Sequence, residues 1–174
     1  MKLINTTYVI SQVLTIVMFI LLGLSYYSKN RKNVILLNIC AQIFQSVSTL
    51  LLKGFTGTVM SLVMLASNIV IYIKYKKNEK ITKNESTVIL IILLAIITGL
   101  SFITYNGVLS LLSVFATIVL LIGIWQEDLR VYKLMGIIGS FLWLFYYIYL
   151  KSIFAIILES ILIIATIISY YKKN

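Results

Sequence analysis

The chain has 174 residues, 61% of them hydrophobic, and a mean hydropathy of +1.05; soluble domains hold roughly 45–50% apolar residues, so a soluble enzyme or soluble binding domain is excluded. The formal charge of +10 would suit a nucleic-acid partner, but nearly all the Lys and Arg stand at the ends of apolar runs, where the positive-inside rule puts them, and no nucleic acid is expected. With no His and a lone Cys40 inside an apolar run, histidine metal sites, Ser-His and Cys-His sets and disulfide frameworks are excluded, and no cofactor is expected.

Uncharged runs of roughly 19 or more residues recur along the chain, each long enough to cross about 30 Å of hydrocarbon as a helix. The reading is an all-α integral membrane protein with seven transmembrane helices and no soluble domain. The first span covers about 6–27 and ends in Ser-Tyr-Tyr-Ser-Lys-Asn-Arg-Lys. No small-residue cleavage site follows, so it reads as an anchored helix and not a signal peptide. A basic turn leads to the second span, about 34–52, and Lys53-Gly54 turns tightly into the third, about 55–73. The polar segment 74–86 reads as a linker.

Residues 87–125 carry no charge over 39 positions. As one helix they would run about 58 Å, nearly twice the hydrocarbon thickness. Asn106-Gly107 is a turn dipeptide near the middle, which predicts two spans, about 87–105 and 107–125. The charged turn 126–130 leads to a sixth span, about 132–150. Its Glu127 and Asp128 are expected to pair with Arg130 and Lys133. A turn at Lys151-Ser152 opens the seventh span, about 152–170. Seven spans place Lys2, Lys53 and Lys151 on one side and the other twelve basic residues opposite; fusing the fourth and fifth would give six against nine. The bias predicts an N-terminus outside and a C-terminus in the cytoplasm.

A shift of 98 positions lays Leu150-Lys151 on Leu52-Lys53, Arg130 on Lys32, Tyr170 on Tyr72 and Lys172 on Lys74. Hydrophobic runs, turns and basic ends coincide. This predicts two parallel three-helix repeats, 6–73 and 107–171, joined by the linker 74–86 and the linker helix 87–105: a 3+1+3 plan about an axis along the membrane normal.

Polar residues in hydrocarbon are costly and should face the bundle interior. Asn38, Gln42, Gln45 and Thr49 are spaced four, three and four apart, hence on one helical face. Their counterparts 98 positions on are Gly136, Ser140, Trp143 and Tyr147. Ser61 and Asn68 answer Glu159 and Thr166, and Gln12 and Thr15 answer Ser110 and Ser113. Such residues also serve as interhelical packing, at roughly 0.6 kcal/mol each, and most single Ser and Thr are read that way. Gln42 and Gln45 offer more donors and acceptors than packing needs. Tyr149 and Tyr146 fit an interfacial aromatic belt. Trp143, about 10 Å along the helix from Leu150, is too deep for it and reads as a stacking wall for a sugar or nucleoside ring.

Glu159 lies about 10 Å below the 151–152 turn, with apolar neighbours for a helical turn on both sides. An intramembrane acid defaults to a functional hypothesis: solute or proton binding, opposite Ser61. The alternative is a structural carboxyl hydrogen-bonded to Gln42, Gln45 or a Tyr hydroxyl.

Ser25-Tyr-Tyr-Ser-Lys-Asn-Arg-Lys32, Leu50-Leu-Leu-Lys-Gly54 and Trp143 through Ser160, with its Ile-Leu-Glu-Ser, resemble the YgjV-type bacterial inner-membrane proteins over nearly the whole chain. The 3+1+3 plan is distantly similar to SWEET, PQ-loop and PnuC-like carriers. Ser48 or Thr49 stands where that nearer family implies His, and Ser67 where it implies Arg. A Pro-Gln pair and helix prolines are missing, so a rocking mechanism with proline hinges does not carry over.

Residues and resemblance together predict a carrier, not an enzyme, in the bacterial inner membrane. It would move a small neutral polar solute (sugar, nucleoside or vitamin-like) by facilitated diffusion or coupled to protons. The alternative is a non-transporting integral membrane protein that binds a partner or lipid. The expected partners are the lipid bilayer and the small-molecule solute, and a homo-oligomer is compatible with the sequence. A carrier needs a polar cavity between the halves, and a scaffold a dry seam.

Overall fold

The computed structural model describes residues 6–77 and 82–171. The expectations resting on Lys2, on residues 78–81 of the linker and on Lys172 lie outside the described residues. Within them the chain forms α1 (Thr6–Tyr27), α2 (Arg31–Leu51), α3 (Phe55–Lys76), α4 (Lys83–Ile103), α5 (Leu111–Trp125), α6 (Leu129–Tyr149) and α7 (Ile153–Tyr171). Seven helices are long and apolar enough to cross a membrane, the fifth counted with the 3-10 turn Val108–Ser110 that precedes it. The uncharged stretch 87–125 divides where the turn dipeptide falls: Gly107 has φ 88°, a left-handed conformation that glycine adopts without steric cost.

Polar caps decide where the helices begin, and they extend several beyond their hydrophobic runs. Asn30 accepts the Lys32 amide on its side chain and starts α2. Asp128 does the same for the Arg130 amide, at 2.7 Å, and starts α6. The acid therefore caps a helix, and Lys133 donates instead to the Ser169 carbonyl at 3.0 Å. Thr82 and Glu85 form a capping box at the start of α4, satisfying two otherwise orphan donors. Of the segment read as a linker, residues 74–76 thus close α3 and 83–86 open α4. The Lys74–Glu85 ion pair, 3.1 Å, ties the two ends together.

The α2–α3 and α6–α7 connections are the same turn. Lys53 and Lys151 sit at φ 60° and 55°. The Lys53 amide bonds the Leu50 carbonyl and the Gly54 amide the Thr49 carbonyl, at 2.9 and 2.8 Å. The Lys151 and Ser152 amides bond the Ile148 and Tyr147 carbonyls, both at 3.1 Å. Each is a Schellman closure, which satisfies the last carbonyls of a helix.

Helices α1, α2 and α3 pack in succession, as do α5, α6 and α7; α1 packs on α7 and α3 on α5. Helix α4 stands outside this group of six against α3 and α5, with 6% of its apolar window buried. Polarity runs opposite to that of a water-soluble bundle. The buried set includes Gln12, Asn38, Gln42, Gln45, Asn68 and Glu159, while Val, Ile, Leu and Phe side chains cover the outside. Hydrocarbon as solvent demands that arrangement.

Candidate functional site

A cavity lies at the centre of the six-helix group. It is lined by Met18, Leu22 and Tyr26 of α1, by Asn38, Gln42 and Gln45 of α2, and by Met64 of α3. Leu120 and Ile124 of α5, Tyr132, Ser140, Trp143 and Tyr147 of α6, and Glu159 of α7 complete the wall. The helical spacing of Asn38, Gln42 and Gln45 explains why α2 presents three amides on one side. Seven of the residues singled out in the sequence thus meet here: Asn38, Gln42, Gln45, Ser140, Trp143, Tyr147 and Glu159. Glu159 is 4% exposed, and among the described residues no Lys or Arg lines the cavity. Ser140 of α6 shares the same wall.

An aromatic layer closes the cavity at each end. At the end that holds the α2–α3 and α6–α7 turns, Trp143 packs on Tyr146 (centroids 5.4 Å, 79°) and on Tyr147 (5.5 Å, 30°). The Gln45 amide donates to the Tyr147 hydroxyl at 3.2 Å. Tyr146 does not belong to an interfacial belt. It is 1% exposed, and its hydroxyl accepts the Gly57 amide at 3.1 Å. That amide lies in the first turn of α3, where helical donors lack partners. Tyr149, at 37%, keeps the interfacial position.

At the other end, Tyr26 stacks on Tyr132 with centroids 5.1 Å apart. The Tyr132 hydroxyl meets Ser25 Oγ at 2.7 Å and receives Asn38 Nδ2 at 2.9 Å. Asn38 Nδ2 also donates to Ser25 Oγ at 2.7 Å. The Tyr26 ring lies on Gly136, where a Cβ would come within 2.5 Å of it.

The remaining candidates lie outside the lining. The Ser61 hydroxyl donates to the Gly57 carbonyl at 2.9 Å and Thr166 to the Leu162 carbonyl at 2.7 Å. Both are satisfied within their own helices, the packing reading for such residues. Asn68 is 0% exposed, and among the described residues neither its Nδ2 nor its Oδ1 has a hydrogen-bond partner. Sequence reasoning missed Tyr26 and Tyr132, which stand next to charged turns and look interfacial. The signal was present in the spacing of Met18, Leu22 and Tyr26, four apart and hence on one face.

The cavity is small, about 30 Å³. That admits one or two waters and falls far short of the roughly 300 Å³ or more of a small-molecule pocket. Among the described residues no three His, Cys, Asp or Glu side chains converge as a metal site would need.

Seven apolar spans with amides and a carboxyl turned inward define a multi-pass α-helical membrane protein. Residues 9–174 match the family model Imp-YgjV, described as bacterial inner membrane protein. The chain belongs to that YgjV family, and its seven helices make it a multi-pass protein of the bacterial inner membrane. No curated protein and no solved structure matches it.

Proposed function

We propose that the chain is a carrier of a small neutral polar solute, of the sugar, nucleoside or vitamin-like class. Its solute would bind between two parallel helical triplets, α1–α3 and α5–α7, joined by α4. The observation that carries this reading is the isolated Glu159 carboxyl on the wall of a central cavity shared with Gln42, Gln45, Trp143 and Tyr147. Intramembrane carboxyls are costly and mark solute and ion pathways, and carrier sites lie near the midplane between repeats. Amides supply paired donors and acceptors for hydroxyl or amide groups, and Trp143 offers a face on which a ring can stack. The solute leaves unchanged, so the chain is not an enzyme on this reading.

The repeat is supported by recurrence at 98 positions of the Asn30 and Asp128 caps and of the Lys53 and Lys151 turns. The packing pattern is also preserved when α1, α2 and α3 are exchanged for α5, α6 and α7: α1 on α7 becomes α5 on α3. The basic residues at the α1–α2, α3–α4 and α5–α6 connections support an N-terminus outside and a C-terminus in the cytoplasm. Glu159 allows either facilitated diffusion or proton coupling.

The small volume favours a second reading, a non-transporting protein that binds a partner or lipid. A carrier caught with both ends closed has the same small volume, but its seam is polar, and here Gln42, Gln45, Ser140 and Glu159 line it. Thermal-shift measurement of the purified protein against a panel of sugars, nucleosides and vitamins separates the two. The carrier reading expects one chemical class to raise the melting temperature, and Trp143→Ala to abolish that shift. A panel without effect on the parent protein favours the second reading.

A further inference from the structure

Arg31 is placed against local preference. It opens α2, where the positive end of the helix dipole disfavours a cation. Its side chain instead crosses to the C-terminal turn of α5, where Nη2 donates to the Ile124 carbonyl and the dipole favours positive charge. The guanidinium carbon lies 5.9 Å from the centroid of the Tyr132 ring, within cation–π range.

Ile124 and Tyr132 line the central cavity. Ile124 and Arg31 also line a second, larger hollow of about 480 Å³ between α3, α4 and the α5–α6 turn, with Tyr75, Ser86 and Gln126 in its wall. The guanidinium therefore stands between the two spaces. Among the described residues its Nε and Nη1, both buried, have no hydrogen-bond partner, although a guanidinium carries five donors. Buried unmade hydrogen bonds of a charged group are expensive. The closed position is held by one carbonyl and one ring, against donors left unpaired, and such a partition yields readily. The position 98 residues on is Leu129, so the second half has no equivalent. At this end the guanidinium backs the Tyr26–Tyr132 layer, whereas the opposite end is closed by Trp143, Tyr146 and Tyr147.

We propose that Arg31 is the movable gate between the central cavity and the 480 Å³ hollow, and that this hollow is the vestibule through which solute enters or leaves on the basic side. The inference rests on the carrier reading. A solute bearing hydroxyl or carbonyl oxygens draws the guanidinium off the Ile124 carbonyl by offering acceptors to Nε and Nη1. Arg31 is thus a positioning residue for passage, and it favours solutes rich in acceptors over apolar ones.

The test uses the full chain in membrane vesicles, with Cys40→Ser and Gln42→Cys as reporter. A membrane-impermeant charged thiol reagent is applied from one face and then from the other. Arg31→Ala is expected to raise the rate of modification from the basic face by about tenfold or more, as loss of a hydrogen bond from a charged donor implies. The rate from the opposite face stays unchanged, and Arg31→Lys falls between. Equal rates with and without Arg31 overturn the gate, as does an equal rise from both faces, which marks general loosening. If Arg31→Ala fails to fold, Arg31→Met keeps the length without the donors and is held to the same outcomes. Labelling needs no solute, so the two readings fail separately: faster labelling of the reporter variant, with no solute flux through the parent protein, keeps the gate and sinks the carrier.

Discussion

Glu159 gathers around it what a solute site would need, and Glu159→Gln separates its possible roles. The substitution keeps shape and hydrogen bonding while removing the titration. A proton-coupling Glu159 loses accumulation against a gradient yet keeps exchange, and the pH dependence of flux flattens. Unchanged stability and unchanged flux in both Glu159→Gln and Glu159→Ala would show that the assignment is wrong. Asn68 makes the complementary case, because it is buried with its amide unsatisfied. Replacing such a group by an apolar one relieves a desolvation cost of about 1–3 kcal/mol. Asn68→Leu should therefore raise the melting temperature in detergent; a lower one would mean that the amide is satisfied in the resting protein. The cavity lining was legible in sequence where a polar group interrupts an apolar face, as Gln42, Gln45 and Glu159 do. Ser61 and Thr166, on the same polar stripe, lie outside that lining with their hydroxyls bonded to their own helices, a choice that composition does not reveal. Tyr26 and Tyr132 escaped because a tyrosine beside a charged turn has the same local sequence in a belt and in a plug.

Among the elements, α6 depends on close approach. Gly136 lets the Tyr26 ring lie against the helix backbone, and a Cβ there would stand 2.5 Å from the ring. Gly136→Ala should cost about 1–3 kcal/mol, as overpacking does. Gly23 has nothing within 4 Å of a built Cβ, so Gly23→Ala should be neutral or stabilise by roughly 0.5–1 kcal/mol. Chemical or thermal unfolding of both variants in detergent checks the contrast; equal effects would contradict the packing of Tyr26. Helix number and the break at Asn106-Gly107 were readable because length against bilayer thickness leaves no other solution. Helix ends were less so. Asn30, Thr82 and Asp128 carry α2, α4 and α6 past their apolar runs into polar sequence, where hydropathy is silent and capping decides.

For the whole molecule, the charge distribution predicts an orientation with the C-terminus in the cytoplasm. A reporter fused at Asn174 that is active only in the cytoplasm is expected, and activity only outside would reverse the topology. Packing of α1 on α7 and α3 on α5 brings Gln42, Gln45, Ser140 and Glu159 to one central cavity, with α4 outside the group of six. The most direct test is uptake of the solute that raises the melting temperature, measured in proteoliposomes. The account predicts saturable uptake and counterflow with the parent protein, and neither with Trp143→Ala. Binding without any protein-dependent flux would contradict it and leave a protein that holds its ligand in place.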